Sequence, residues 1–439
     1  MRQSLLAILL LLTTALLAIE RQPNADYRAR RMRLAQKADG AVLVFAATEA
    51  EGPNALYGFR QDDNFYYLTG LTEPGAALLI VPALPAADAR PAREYSEILF
   101  LPARNLSQER WTGPKLSADS PQATQISGFD RVEKLDQLRD ELVRLLPPVR
   151  STLYVNTGPV SASSMQWLQR ANALPVYLSV ADAAPLLASL RVVKDAGEIG
   201  FVRAATNASV AAHLAAIKAM RPGLNEHDIS ALMQYEFQKQ GCERPAYAPI
   251  VGSGPNSTVL HYSKDDRTIQ DGDVVVMDVA GEYSMYASDI TRTLPANGKF
   301  TPRQREIYDI LLGAQDAAIK AFQAGKSNVS RDGPGSLYRV AYDYINNHGK
   351  DLHGQPLGQY FIHGLSHYVG LNVHDVGDTS IALDRGMVFT IEPGIYIPEE
   401  NLGVRIEDIF WVDDDGRLVS LSGSLPRTAE DVEAAMRKK

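Results

Sequence analysis

Cysteine is almost absent from this chain of 439 residues, in which Cys242 stands alone. A single cysteine excludes an intramolecular disulfide framework and a metal site built from several thiolates. Positive charge is also in the minority, since 44 Lys and Arg face 52 Asp and Glu, a formal net charge of −8. This balance argues against nucleic acid, or an anionic membrane surface, as a general partner.

Long apolar runs are missing except at the N-terminus. There, Arg2 precedes the apolar stretch 5–18, and charge returns at Glu20. A basic start, a short apolar stretch and a small residue at its end are typical of a secretory signal, whereas a membrane span needs about 20 apolar residues. We assign residues 1–20 to a signal peptide cleaved near Ala18, or to an uncleaved signal anchor. The protein is therefore expected to be exported, as a periplasmic or secreted protein.

The remaining chain is too long for one ordinary core, which predicts two domains. Residues 22–185 alternate helical and strand-like patterns, as an α/β domain does, and contain no cluster of histidines and acids. We expect this domain to support or to oligomerise the other. Residues 190–439 combine helices with hairpins, which predicts an α+β domain whose helices cover a curved, mostly antiparallel sheet.

Local signals predict the individual elements of both domains. In the first domain, apolar runs predict strands at 41–46, 65–68, 76–81, 97–101 and 152–155. In the second, capping residues and helix breakers predict helices over 198–220, from Asn225 to Gly241, from Thr301 to just before Gly325, and from Thr428 onward. Turn residues beside apolar runs predict hairpins at 272–293, 386–397 and 404–421.

The stretch 272–293 places two carboxylates in an apolar setting. A turn leads into the β-branched run 274–276, which continues through Met277 to Asp278, and a second strand-like run carries Asp289. A desolvated carboxylate must be paired, hydrogen-bonded or bound to a metal. Two such acids on one predicted hairpin therefore indicate a shared cation.

The stretch 386–396 repeats this pattern of glycine, apolar strand, acid, glycine and tyrosine. Its acid is Glu392, and a second acid, Glu407, follows in a later strand. The repeat predicts two related halves that each contribute two carboxylates. Chance similarity between two buried strands is the alternative.

Three of the eight histidines lie within twelve residues, at His363, His367 and His374. Glycines between them argue against a long helix and favour a loop or a strand edge that leads into a cleft. Four carboxylates and at least one imidazole are enough for two carboxylate-bridged metal ions. This oxygen-rich donor set suits Mn²⁺, and Zn²⁺ or Co²⁺ stay open. Arg405 lies on the same strand face as Glu407 and can pair with a ligand carboxylate or a substrate acid.

These motifs resemble those of the Xaa-Pro aminopeptidase and prolidase family, the dinuclear "pita-bread" metallopeptidases, and point to aminopeptidase P within it. The motifs are YAPIVGSGPNSTVLHY (247–262), DVAGEYSMYASDITRTLPANGKFTPRQREIYD (278–309), HGLSHYVGLNVHDVG (363–377), EPGIYI (392–397) and RIED (405–408). In the first domain, FRQDDNFYYLTGLTEPGAALL (59–79) resembles the N-terminal domain of that family. The resemblance covers nearly everything after the signal segment.

The resemblance implies which residues bind metal. The implied ligands of two divalent ions are Asp278, Asp289, His367, Glu392 and Glu407. Asp289 and Glu407 would bridge the ions, and a bridging hydroxide would attack the Xaa-Pro carbonyl. Glu392 would also serve as the general base that relays a proton to the prolyl nitrogen.

The resemblance also implies the substrate contacts and the assembly. His261 and His374 would contact the substrate and steady the tetrahedral intermediate, and His363 would line the same cleft. The implied proline-side pocket contains Tyr247, Val373 and Arg405. The substrates would be proline-containing peptides and the protein a homo-oligomer, a dimer or a tetramer. A local match at Trp111 implies an aromatic side chain that reaches the active site of a neighbouring subunit.

Several alternatives stay open. The segment between Glu392 and Arg405 is short, which leaves the preferred peptide length undecided between an aminopeptidase and a prolidase restricted to Xaa-Pro dipeptides. A metal-free amidinohydrolase like creatinase is disfavoured, because all five ligand positions hold residues that can bind metal. A catalytically silent peptide-binding protein with the same fold would have been favoured by the loss of any of these five.

Overall fold

The structure is a computed structural model that describes residues 19–49, 57–86, 92–146, 151–156 and 178–437. The apolar stretch 5–18 lies outside these residues. Within the described ranges, no helix is long and apolar enough to cross a membrane.

A six-stranded mixed sheet organises the N-terminal domain. Its strands are β1 (Ala41–Phe45), β2 (Ala77–Val81), β3 (Ser96–Leu101), β4 (Val132–Lys134), β5 (Ser151–Val155) and β6 (Leu178–Asp182). The strand order is β4-β3-β2-β1-β5-β6, and β1 pairs antiparallel with β2 but parallel with β5. In the described part of this domain the accompanying helices are α1 (Asn24–Lys37), α2 (Asp63–Thr69), α3 (Leu106–Thr112), α4 (Ala123–Ser127), α5 (Leu138–Leu145) and α6 (Ala184–Arg191). Four of the five strands predicted for this domain are confirmed.

The predicted strand at 65–68 is wrong, because these residues belong to helix α2. The side chain of Asp62 accepts a hydrogen bond from the Phe65 amide at 2.8 Å, and Gly70 ends the helix in a left-handed conformation. All four residues of the run are buried. A short apolar run that is buried on every side carries no helical or strand period, so only its caps identify it as a helix.

Five longer helices flank the sheets of the second domain: α7 (Ala196–Ala219), α8 (Glu226–Lys239), α9 (Pro302–Ala321), α10 (Leu337–His348) and α11 (Ala429–Arg437). The predicted caps at Asn225 and Thr301 are confirmed as reciprocal capping boxes. Helix α9 ends earlier than predicted, since Gly325 lies in the following turn and donates its amide to Leu383. Helix α10 was not predicted, although its buried residues recur every four positions.

Two broken hairpins form the centre of this domain. Its strands are β7 (Arg244–Pro245), β8 (Ile250–Ser253), β9 (Val274–Asp278), β10 (Gly281–Tyr283), β11 (Tyr286–Ala287), β12 (Thr291–Pro295), β13 (Val388–Ile391), β14 (Gly394–Ile397), β15 (Leu402–Arg405), β16 (Asp408–Val412) and β17 (Leu418–Ser420). In the first hairpin β9 pairs with β12 and β10 with β11. In the second, β13 pairs with β16 and β14 with β15. The two hairpins thus share one arrangement, an outer and an inner pair separated by a break.

The predicted hairpin at 272–293 is confirmed and extends to Pro295, whereas the one at 386–397 is wrong. Strands β13 and β14 do not pair with each other, because the break at Pro393 lies within one continuous arm and not at a turn. Within 404–421 only β16 and β17 pair, over 408–420, and β15 belongs to the inner pair. The breaks of the two hairpins meet where the Glu407 amide donates to the Thr291 carbonyl at 3.1 Å.

Candidate active site

One cavity collects every site residue predicted from the sequence. It measures about 580 Å³ and opens between the two broken hairpins. The predicted residues that line it are Tyr247, His261, Asp278, Asp289, His363, His367, Val373, His374, Glu392, Arg405 and Glu407. This volume is in the range of small-molecule binding sites.

The four carboxylates stand at the breaks of the hairpins. Asp278 is the last residue of β9 and Glu392 directly follows β13, whereas Asp289 and Glu407 precede β12 and β16. Where a strand pairing breaks, side chains of both arms can turn towards one point instead of alternating between the faces of a sheet. The repeated break therefore brings four acids to one cavity from the ends of four different strands.

The geometry and charge of this cluster fit a bound cation. Donor atoms of Asp289, His367 and Glu407 lie within 4.8 Å of one another. The His367 Nε2 atom lies 3.2 Å from Asp289 Oδ2 and 3.4 Å from an oxygen of Glu392. The Oε1 atom of Glu407 is buried without a hydrogen-bond partner, while its Oε2 atom accepts from Thr291. A buried, unpaired carboxylate oxygen among other acids is a ligand position for a metal ion.

Burial and mutual repulsion shift the pKa values of the cluster. Burial, together with neighbouring acids, raises the pKa of Asp278 and that of Glu392, the latter to about 7. The same causes raise the pKa of Glu407 well above its usual value. Burial lowers the pKa of His367, but the hydrogen bond to Asp289 and the charge of Glu392 outweigh it and raise that pKa to about 9. Such mutually repelling acids require a cation, either protons or metal ions.

Arg405 and Tyr247 fix the orientation of the acids. The Nη2 atom of Arg405 lies 2.6 Å from Asp278, and Nη1 donates to the Tyr396 hydroxyl at 2.8 Å. The Tyr247 hydroxyl lies 2.6 Å from Asp278 and 2.7 Å from Asp289. Two roles are predicted for Arg405, and the structure shows one of them: Arg405 pairs with Asp278, one of the predicted ligand carboxylates.

The histidines occupy different parts of the cavity. The Nε2 atom of His363 lies 2.9 Å from the Tyr396 hydroxyl, and burial with the charge of Arg405 lowers the pKa of His363 to about 4. The ring of His374 lies edge-on to that of His367, with centroids 4.4 Å apart. The segment that carries these three histidines forms bends without a long helix, as predicted.

Three further residues contact the cluster and were not predicted. Tyr396 links His363 to Arg405, Thr291 holds Glu407, and the Thr390 hydroxyl lies 3.4 Å from Glu392. Tyr396 belongs to the repeated glycine–tyrosine pattern, which was a usable signal. Trp111 does not line the cavity; it lies on α3 and is 87% exposed.

Both domains of the chain match known proteins. Residues 200–414 match the model of metallopeptidase family M24, and residues 27–154 match that of the aminopeptidase P N-terminal domain. The chain is 32% identical to the Xaa-Pro aminopeptidase of Escherichia coli, over 94% of this chain and 97% of the relative. It is 31% identical to the human Xaa-Pro dipeptidase, over 86% and 84%. The structure of E. coli aminopeptidase P with the inhibitor Pro-Leu superposes with a TM-score of 0.83 and 30% identity, covering 95% of this chain and 99% of that one.

The fold and the carboxylate cluster define a metallopeptidase with the pita-bread fold. The chain belongs to the Xaa-Pro aminopeptidase family, with an aminopeptidase P N-terminal domain followed by an M24 catalytic domain. It is a metal-dependent exopeptidase of the hydrolase class.

Proposed function

We propose that this protein releases the N-terminal residue from peptides with proline in second position, using two divalent ions, preferably Mn²⁺. The observation that carries the proposal is the convergence of four acids and His367 in one cavity, where a buried oxygen of Glu407 has no hydrogen-bond partner. Asp278, Asp289, His367, Glu392 and Glu407 would hold the ions. When bound, the ions supply Lewis acidity that polarises a carbonyl and lowers the pKa of water.

The surrounding side chains supply the proton chemistry and the orientation. Glu392, which lines the cavity beside His367, can take a proton from the attacking water and deliver it to the prolyl nitrogen as the bond breaks. His363, whose pKa is near 4, is a neutral imidazole at neutral pH; its Nδ1–H donates to the Gly364 carbonyl and its Nε2 atom accepts from the Tyr396 hydroxyl at the cavity wall. His261 and His374 face the same space and can hydrogen-bond the substrate.

A recessed pocket suits a bond to proline for a chemical reason. The Xaa-Pro amide has no N–H, and the ring fixes φ near −65°. Proteases that bind substrates by strand-like pairing lose that donor, whereas a pocket shaped for the ring does not need it. The walls beside the acids, formed by Tyr247, Val373 and Arg405, are the proposed proline-side surface.

A dipeptidase is the second candidate, because the human Xaa-Pro dipeptidase is also a relative of this chain, although the match covers less of both chains than the match to the E. coli aminopeptidase. The short connection between β14 and β15 closes on Asn401, in a left-handed conformation, and Glu400 is paired with Arg303. Because this turn is compact, we expect the protein to accept peptides longer than a dipeptide.

The test is a peptide-length series with Mn²⁺ and metal analysis on the same sample. We expect turnover of Xaa-Pro-Yaa tripeptides and of longer Xaa-Pro peptides, with no turnover when alanine replaces the proline. Hydrolysis of the Xaa-Pro dipeptide alone would decide for a dipeptidase. Absence of hydrolysis of every Xaa-Pro peptide by metal-loaded protein would overturn the proposed activity.

We further propose export and self-association. The apolar stretch 5–18 supports export, and the sequence of the mature N-terminus, expected at Ile19, tests it. The exposed indole of Trp111 supports a contact with a second copy. Sedimentation of the wild type and of Trp111→Ala tests this contact, since the wild type should sediment as a dimer or tetramer and the variant as a smaller species.

A further inference from the structure

The loop that carries Val373 and His374 forms no strand or helix of its own, and backbone hydrogen bonds tie it to β13 and β11 only at its start, through Val369 and Gly370. Residues 369–378 form only bends, yet both side chains line the cavity. The Asp375 amide closes the loop by donating to the Tyr368 carbonyl at 2.9 Å. A loop without a hydrogen-bonded ladder needs other contacts to keep a side chain in one position.

Two cations clamp the residue that follows His374. The carboxylate of Asp375 lies 2.5 Å from Arg191 Nη2 and 3.0 Å from Lys194 Nζ. All three side chains are at most 3% exposed. Burial alone raises the pKa of Asp375, but the two cations outweigh it and hold this pKa below its usual range. The Asp375 carboxylate is therefore ionised. Its burial costs free energy unless Arg191 and Lys194 stay in place beside it.

The clamp extends into the N-terminal domain. Arg191 also contacts Asp63 at 3.4 Å, and Asp63 pairs with Arg60 at 2.8 Å. Arg60 in turn donates to the Leu371 carbonyl of the same loop and pairs with Glu282 of β10 at 2.8 Å. Side chains of alternating charge thus join the N-terminal domain, the first hairpin and the loop 369–378.

We propose that Asp375 is a positioning residue that, held by Arg191 and Lys194, keeps the preceding histidine facing the reacting bond. Through Arg60 the N-terminal domain then helps to shape the active site and does more than support or oligomerise the other domain. The inference rests on the proposed function, because the substrate contact of His374 comes from it. Groups that orient a functional side chain are worth about 10- to 100-fold in activity.

A double-mutant cycle with His374 tests this role. Asp375→Asn should lower kcat about 10- to 100-fold in the wild-type background, with a smaller change in KM. In the His374→Ala background the same change should cost little more, since the histidine through which it acts is gone. An equal loss of kcat in both backgrounds would show a structural role only and would overturn the proposal. If Asp375→Asn does not fold, Lys194→Gln, which leaves the Arg191 contact, takes its place in the same cycle.

Glu97→Gln is the matched control, because Glu97 forms an equally buried pair with Arg31 away from the cavity, at 2.8 Å. It should lower the melting temperature without changing kcat. Hydrogen exchange of residues 369–376 should be faster in Asp375→Asn and unchanged in the control. Unchanged exchange in Asp375→Asn would contradict the clamp. This readout needs no substrate, so it separates failure of the clamp from failure of the proposed peptidase activity.

Discussion

The acids in the cavity are buried side chains that lie close to one another. Asp278, Asp289 and Glu407 are each at most 8% exposed, and among the described residues only Arg405 and His367 bring positive charge into contact with the acids. Burial, and after it the neighbouring acids, raise the pKa values of Asp278 and Glu407. A protein that keeps four acids together in this way is built to bind a cation, because the acids weaken the fold when no cation is bound.

The substitution Glu392→Gln tests whether Glu392 acts in catalysis, separately from its effect on stability. We expect kcat to fall by about 10³-fold or more, because the general base and one metal ligand are both altered. The metal-free variant should melt no lower than the metal-free wild type, since a neutral amide avoids the cost of burying a carboxylate. Steady-state kinetics, metal analysis and thermal melting on the same sample give the answer.

Glu399→Gln is the control for that experiment, because Glu399 lies near the same hairpin but is 64% exposed. It should leave kcat unchanged. Turnover of Glu392→Gln close to that of this control would rule out a catalytic role for Glu392.

At the scale of elements, the two broken hairpins explain what the sequence predicted well and what it did not. The acids were recognisable because a carboxylate beside an apolar strand needs a partner, and the repeat of Asp278 and Glu392 pointed to two halves. The pairing of β13 was not recognisable, because a break at Pro393 and a turn at Pro393 look alike in sequence. Helix α2 was missed for a related reason, since a fully buried run has no period.

Close backbone approach makes Gly403 a position that tolerates no side chain. A Cβ atom there would lie 1.9 Å from the Ser257 carbonyl oxygen, where β15 crosses the chain that leads to His261. We expect Gly403→Ala to destabilise the protein by about 2 kcal/mol or more, because backbone must move. Gly200→Ala, in helix α7 with open space around it, should instead stabilise by about 0.5–1 kcal/mol. Denaturant unfolding of both variants compares them, and equal stability would contradict the predicted clash.

His213 anchors helix α7 to the break in the first hairpin and makes that contact sensitive to pH. Its Nε2–H donates to the Val279 carbonyl at 3.0 Å, and burial with the charge of Arg292 lowers its pKa to about 3. The unfolded state protonates this imidazole near pH 6.5, so its stabilising contribution is complete above 6.5 and declines as the pH falls towards 3. Between pH 6.5 and 5 the loss amounts to about 2 kcal/mol.

Removing this imidazole should make the free energy of unfolding less dependent on pH. His213→Gln is expected to lose less stability than the wild type between pH 6.5 and 5, as measured by denaturant unfolding at each pH. His227→Gln, at an exposed position at the start of α8, should keep the wild-type slope. A wild-type slope in His213→Gln would show that this histidine is not held neutral in the native state.

At the scale of the whole molecule, the two domains are joined by both apolar and charged contacts. Phe65 and Leu99 of the N-terminal domain belong to the same apolar cluster as Tyr286, Val388 and Ile409 of the catalytic domain. The sequence alone predicted a domain that supports or oligomerises the other, because neither this shared core nor the ion network around Arg60 leaves a local pattern. Contacts between residues far apart in sequence are visible only in the folded chain.

We propose above that the acids between the two hairpins form a metal centre that cleaves the Xaa-Pro bond. The most direct measurement removes all metal with a chelator and then follows tripeptide hydrolysis as Mn²⁺ is returned. We expect no hydrolysis by the chelated protein and a return of activity in step with bound metal, complete at two ions per chain. Full activity after exhaustive chelation would contradict it.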